Sequence, residues 1–194
     1  MRNVFSAIKR VYLRFFASQA RPIMVYYKRN FQKEKKENIR ISSSTFLDYK
    51  ERLKIDKEVF IGHFNFVEAS NGIEIEEGVQ ITNYCSITTH SSHNSIRLYG
   101  EKYKDFANLV GYIKGSVFIG KYTFVGPHSV IMPKTRIGKG SLVSAYSYVQ
   151  GEFPDFSIIA GNPATVIGST KKMDQRILEQ HAELKPFYEA WAND

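Results

Sequence analysis

Two histidines three residues apart, His90 and His93, stand in the run Thr88-Thr89-His90-Ser91-Ser92-His93. A neutral imidazole, titrating near ~6.5 when unperturbed, is basic enough near pH 7 to draw a proton from a hydroxyl. The run opens a stretch of about residues 90–114 that follows no regular pattern, and loops of that length in compact folds tend to carry function. Asn83, in Thr82-Asn83-Tyr84, offers an amide beside an aromatic ring and is a candidate contact for an acceptor hydroxyl. Cys85, the single cysteine, is the one candidate thiol nucleophile and excludes an internal disulfide framework.

A repeat must position these residues. Every sixth residue from 55 is apolar through Ile55, Ile61, Val67, Ile73, Val79 and Cys85. The count breaks at the histidine run and resumes through Ile119, Val125, Ile131, Ile137, Val143 and Val149. In the second block, Thr123, Ser129, Thr135, Ser141 and Ser147 follow four places after the first five of these. Neither a 3.6-residue helix nor an alternating strand generates a period of six. A six-residue unit fits one flat face of a triangular β-solenoid, three faces to a coil, with coils stacked at the ~4.8 Å strand spacing. The apolar residue then points inward, so Cys85 reads as core filler with an inert thiol.

The two blocks, together with the ending Ile158-Ile159-Ala160-Gly161-Asn162-Pro163-Ala164-Thr165-Val166-Ile167, resemble the hexapeptide-repeat acyltransferase superfamily. The resemblance covers roughly residues 55–170 and is nearest to the branch of galactoside, maltose, xenobiotic and bacterial polysaccharide O-acetyltransferases. It implies an all-β solenoid, a left-handed parallel β-helix, assembled as a homotrimer with active sites between subunits. It implies acetyl-coenzyme A as co-substrate and no metal, with His90 as general base, His93 as runner-up or acceptor contact, and direct transfer in a ternary complex. The implied coenzyme contacts are Phe124 beside the pantetheine arm and Gly126 and Pro127 near the thioester. Ser144, Ala145 and Tyr146 match the small-residue turn, Gly161, Asn162 and Pro163 the last turn, and Lys171 and Lys172 the nearest cations for the phosphates. Three residues depart from the pattern. Pro127 lacks the N–H that commonly serves the oxyanion, Gly151 replaces a frequent Lys, and Tyr146 replaces a small residue. Other members are zinc hydratases, but His63, His90, His93 and His128 do not match their ligand spacing. An N-acetyltransferase of an amino sugar or antibiotic shares the same chemistry, and a non-catalytic β-helix scaffold is a rival of another class.

Composition bounds the rest. Hydrophobic content of 43% and charged content of 24% are those of an ordinary globular protein. The apolar runs are shorter than the ~20 residues of a membrane span, and Lys9, Arg10 and Arg14 interrupt any secretory h-region. The expected compartment is the cytoplasm. The net charge of +8 is uneven, since residues 1–57 hold 15 Lys/Arg against 5 Asp/Glu. Val4, Ile8, Val11, Phe15 and Phe16 interleave with basic residues at helical spacing. A partly helical, basic segment over 1–54 is therefore expected, suited to peripheral contact with an anionic membrane. An acidic polymer would suit it too, and a merely solvated face is the alternative. Nucleic acid is not favoured once the rest of the chain, which is net acidic, is weighed. Residues 171–194 read as a C-terminal helix interrupted at Pro186.

Overall fold

The computed structural model describes residues 22–26 and 38–193. The expected amphipathic helix of residues 1–20 lies outside them. Short parallel strands wind into a three-sided prism whose faces are three sheets. Face A stacks β2 (Arg40–Ser42), β5 (Phe60–Ile61), β8 (Gln80–Ile81), β13 (Phe124–Val125), β16 (Leu142–Val143) and β19 (Ser157–Gly161). Face B stacks β3 (Phe46–Asp48), β6 (Phe66–Glu68), β9 (Ser86–Thr88), β14 (Val130–Ile131) and β17 (Tyr148–Val149). Face C stacks β4 (Leu53–Ile55), β7 (Ile73–Ile75), β12 (Val117–Ile119), β15 (Arg136–Ile137) and β18 (Glu152–Phe153). Two antiparallel strands bound face A, β1 (Met24–Tyr26) at its start and β20 (Ala164–Ser169) at its end. The all-β solenoid is as expected.

Strand pairing shows which residues pile up inside. On face A, Ile41, Ile61, Ile81, Val125, Val143 and Ile159 lie in register from coil to coil. On face C the column is Ile55, Ile75, Ile119, Ile137 and Phe153. Both columns are buried, and each such side chain contributes ~1.5–3 kcal/mol by leaving water. The hydroxylated residues have a different task. Thr123 and Ser141 donate to the Gly138 carbonyl at 3.0 and 2.7 Å, and Ser129 and Ser147 to the Ser144 carbonyl at 3.0 and 2.7 Å. They satisfy corner carbonyls that would otherwise be buried without a partner.

The pairing also corrects the count of six in the first block. Ile55 stacks under Ile75, Ile61 under Ile81 and Val67 under Ile87, so a coil there takes twenty residues. Ile73, Val79 and Cys85 are buried but sit two places earlier, Ile73 at the start of β7 and Val79 and Cys85 just before β8 and β9. Alternate strand residues share a face, so the phase slipped by two without exposing a polar residue to reveal it. Cys85 thus occupies the position held by Ser129 one coil on, not an Ile or Val position. The coil also begins at Arg40 rather than near Ile55.

From core position to core position, the A–B corner always takes six residues, as from Ile61 to Val67, and so does the C–A corner. The B–C corner varies. It takes eight residues from Leu47 to Ile55, eight from Val67 to Ile75 and thirty-two from Ile87 to Ile119. It then shrinks to six from Ile131 to Ile137 and four from Val149 to Phe153. The long excursion is ordered. It leaves through β10 (His90–Ser91), forms α1 (His93–Tyr99) and a 3-10 segment, and returns through β11 (Ile113–Lys114), which pairs antiparallel with β10. At the C-terminus, α2 (Thr170–Gln180) and α3 (Lys185–Ala192) flank a turn at 181–184. Pro186 lies in the first turn of α3, where its missing N–H costs nothing. Among the described residues no helix is long and apolar enough to cross a membrane.

Candidate active site

His90 stands where face B ends and the long excursion begins. Its Nδ1 lies 2.8 Å from Oε2 of Glu68, on the strand directly beneath, and 3.3 Å from the Ser70 hydroxyl. The His90 side chain is 37% exposed and that of Glu68 only 4%, so the carboxylate is interior and the imidazole faces outward. Glu68 is held from several sides. It accepts from the Ser70 N–H at 2.7 Å, and from the Thr89 N–H and hydroxyl, each at 3.0 Å. Burial alone would raise its pKa, yet the bonds from Ser70 and Thr89 outweigh that and hold the carboxyl near about 2. The site therefore contains a permanent carboxylate aimed at Nδ1. It favours the tautomer with the proton on Nδ1 and leaves Nε2, which has no hydrogen-bond partner among the described residues, as the basic atom facing outward.

The turn after Glu68 explains the arrangement. Ala69-Ser70-Asn71-Gly72 carries the two extra residues of this coil, with Gly72 at φ 91°. Asn71 clips it to the next coil, its N–H donating to the Thr89 hydroxyl at 3.0 Å and its side-chain amide to the Thr89 carbonyl at 3.1 Å. Above the imidazole, the Tyr112 ring lies parallel at 7° with centroids 5.8 Å apart.

His93 begins α1, with Nδ1 2.8 Å from the Ser91 hydroxyl, and has no carboxylate partner. Asn83 serves the A–B corner, where its Oδ1 accepts the His63 N–H at 2.7 Å. His63 and His128 also lie at that corner, apart from His90 within one chain. Among the described residues no group of His, Cys, Asp and Glu is arranged to hold a metal. The Cys85 thiol is buried, which pushes its pKa up, and it donates to the Gly126 carbonyl at 3.3 Å.

Most of the expected coenzyme residues meet along the A–B corner and the adjoining strands of face A. Gly126 and Pro127, Ser144 to Tyr146, and the Gly161-Asn162-Pro163 hairpin occupy successive levels there. Phe124 projects from β13 beside them and is exposed. A side chain at Gly126 would meet the Ala145 nitrogen at 2.6 Å, so only glycine permits this approach of one coil to the next. Tyr146 donates its N–H to the Pro127 carbonyl at 3.0 Å, whereas the Ala145 N–H has no partner among the described residues. Tyr146 is 71% exposed and ends a column of parallel rings through His128, Tyr84 and Phe64.

Lys171 and Lys172 do not join this group. After the hairpin, β20 runs back across face A, and Thr170 is fixed at the C–A corner by bonds to Gly140 and Phe156. The six residues of β20 carry the lysines ~20 Å from Pro163, and Lys171 instead sits over the Phe156 ring, 4.6 Å from its centroid. The larger aromatics near the two corners do not line one groove. Phe64 and Tyr84 belong to the ring column, Phe66 stacks on Phe46 on face B, and Tyr99 packs on Phe106 within the excursion. Sequence reasoning missed Glu68 and Tyr112. Asp48, Glu68 and Thr88 occupy equivalent levels twenty residues apart, a signal visible only once that coil length is known.

No protein-family model matches the chain. It is 29% identical over 135 residues to Rv3034c of Mycobacterium tuberculosis, covering 68% of this chain and 42% of that protein. It is 35% identical over 63 residues to YvoF of Bacillus subtilis, covering 32% of this chain and 37% of the other. Both bear acetyltransferase names. The chain thus matches about two-fifths of the length of these relatives. Among solved structures, AntD, an N-acyltransferase from Bacillus cereus in complex with dTDP and 3-hydroxybutyryl-CoA, superposes with TM-score 0.52 at 18% identity. That match covers 75% of this chain and 89% of AntD, a likeness of fold. The repeat and the prism it builds are a β-solenoid fold shared with AntD, and over part of its length the chain is similar to proteins that bear acetyltransferase names.

Proposed function

We propose that the chain is an acetyl-coenzyme A-dependent O-acetyltransferase acting on a hydroxyl of a sugar, surface polysaccharide or polysaccharide precursor. The Glu68–His90 couple carries this reading. Nε2 of His90 takes the proton of the acceptor hydroxyl while that oxygen attacks the thioester carbonyl. Glu68 stabilises the imidazolium so formed, and the proton then passes to the departing thiolate. Direct transfer needs no acyl-enzyme, and buried Cys85 supplies no competing nucleophile.

The exposed small-residue ridge at the A–B corner suits an extended pantetheine. Ala145 has a free N–H there to offer in place of the one Pro127 lacks. His90 and this ridge lie at different corners of the prism, which supports a homotrimer in which one copy brings the base and its neighbour the ridge. Of the basic N-terminal residues, we propose peripheral attachment at the inner membrane face, each Lys or Arg near anionic lipid contributing ~1 kcal/mol. Liposome flotation with and without residues 1–30 tests it, equal behaviour of the two forms discarding the idea.

Release of free thiol from acetyl-coenzyme A, screened against hydroxyl and amino sugars with the native chain, His90→Ala and His93→Ala, tests the main reading. Turnover on hydroxyl acceptors that vanishes in His90→Ala is the expected result. Activity kept in His90→Ala and lost in His93→Ala reverses the assignment. Turnover confined to amino acceptors favours the N-acyltransferase reading, to which the fold of AntD lends support.

A further inference from the structure

We infer that Tyr112 is a positioning residue for the base, its ring fixing the plane of the His90 imidazole through parallel stacking. The inference rests on the reading of His90 as the general base. The Glu68 bond at Nδ1 fixes the distance of the imidazole but leaves it free to swing about the bond axis. Such a swing carries Nε2, the basic atom, along an arc, and a displacement of about 1 Å in a reacting group can cost ~10²-fold in rate. A flat surface against one face of the imidazole removes that freedom. Tyr112 supplies it, at 7° from parallel.

The chain is shaped to bring it there. Tyr112 is the last residue of the excursion before β11, whose pairing with β10 sets Lys114 opposite His90 and Ile113 opposite Ser91. The preceding Gly111 has φ 81°, and a Cβ there would meet Asn94 Cβ at 3.1 Å. Any larger residue would therefore push the returning chain away from α1 and lift Tyr112 off the imidazole. The Tyr112 hydroxyl bonds to nothing among the described residues, so the ring face is the part in contact. Burial raises the phenol's pKa, with Tyr103, Glu68 and Tyr49 adding to the effect. It thus stays neutral beside the base, and a neutral ring face also favours the imidazolium formed during transfer.

Tyr112→Phe, Tyr112→Leu and Tyr112→Ala separate ring, bulk and hydroxyl. Tyr112→Ala is expected to lower kcat ~10–10²-fold with KM for acetyl-coenzyme A unchanged. Tyr112→Phe should restore kcat to within about twofold, and Tyr112→Leu should not, because a flat face is what is needed. The inference falls if Tyr112→Phe loses as much as Tyr112→Ala, if Tyr112→Ala keeps native kcat, or if the loss appears only in KM for the acceptor. A second measurement stands apart from turnover. The His90 ring C–H signals in the proton NMR spectrum should carry a ring-current shift that Tyr112→Ala abolishes and Tyr112→Phe retains. Unchanged signals in Tyr112→Ala overturn the inference even in an inactive protein. Full activity in His90→Ala, with the shift behaving as described, would instead remove His90 as the base and leave the stacking intact.

Discussion

Five crossings of the A–B corner each take six residues, while the five crossings of the B–C corner take eight, eight, thirty-two, six and four. The prism needs only that each strand re-enter in register, so residues added at a corner bulge outward and leave the core column undisturbed. Uniform corners therefore build the scaffold, and the irregular one is free to acquire chemistry. The first enlarged turns supply Glu68, Ser70 and the clip to Thr89, and the largest supplies His90 and Tyr112. Corner hydroxyls such as Ser129 and Ser147 only cap carbonyls.

The sharpest way to break this contrast is at His90, the proposed base. His90→Ala should cost ~10²–10⁴-fold in thiol release with little change in melting temperature, and near-native turnover would dissolve the link between corner length and function. Glu68→Gln comes next, with a loss of ~10²-fold or more, because the imidazole loses the charge that orients it. This variant also tests the acid side of stability. The Glu68 carboxyl is depressed in the folded chain, so its stabilisation is complete above about 4.5 and fades as pH falls toward about 2. Thermal melts of native and Glu68→Gln chains should converge across that window, and a constant gap would contradict it.

Ile137→Ala, in the uniform part, should do the opposite. It leaves a cavity costing ~2–5 kcal/mol and lowers the melting temperature by roughly 5–15 °C, with kcat per folded molecule unaltered. A large kcat loss at a temperature where the variant is folded would show that the two regions are not independent. Smallest of all, Lys171→Ala should change KM for acetyl-coenzyme A less than about twofold, since Lys171 lies over Phe156 at the far edge of face A.

The sequence reveals these regions unevenly, for physical reasons. From Ile119 to Val149 each inward residue lies six beyond the last, so the prism is legible by counting. In the first block the same count stayed apolar by landing on buried positions two places before the core column, at Ile73, Val79 and Cys85. That concealed the two added residues and, with them, the level that Glu68 shares with Thr88. His90 was legible because it opens the break. Its carboxylate was not, because the pair is 22 residues apart in sequence and meets only through coil stacking. Lys171 was misplaced because nearness along the chain to Pro163 says nothing of a strand that doubles back.

The two antiparallel strands bounding face A decide how copies of this molecule can accumulate. A parallel solenoid with bare ends would offer each terminal rung as a template for the next molecule, and a thread would grow lengthwise. Here the end rungs of face A already hold β1 and β20 running the wrong way for that continuation. Along the C–A corner, Trp191 of α3 lies over Tyr122 and Phe156, so this helix covers a flank of the prism and leaves its end to β20. At face A, a second copy added lengthwise would therefore find no parallel edge to continue, whichever end it approached.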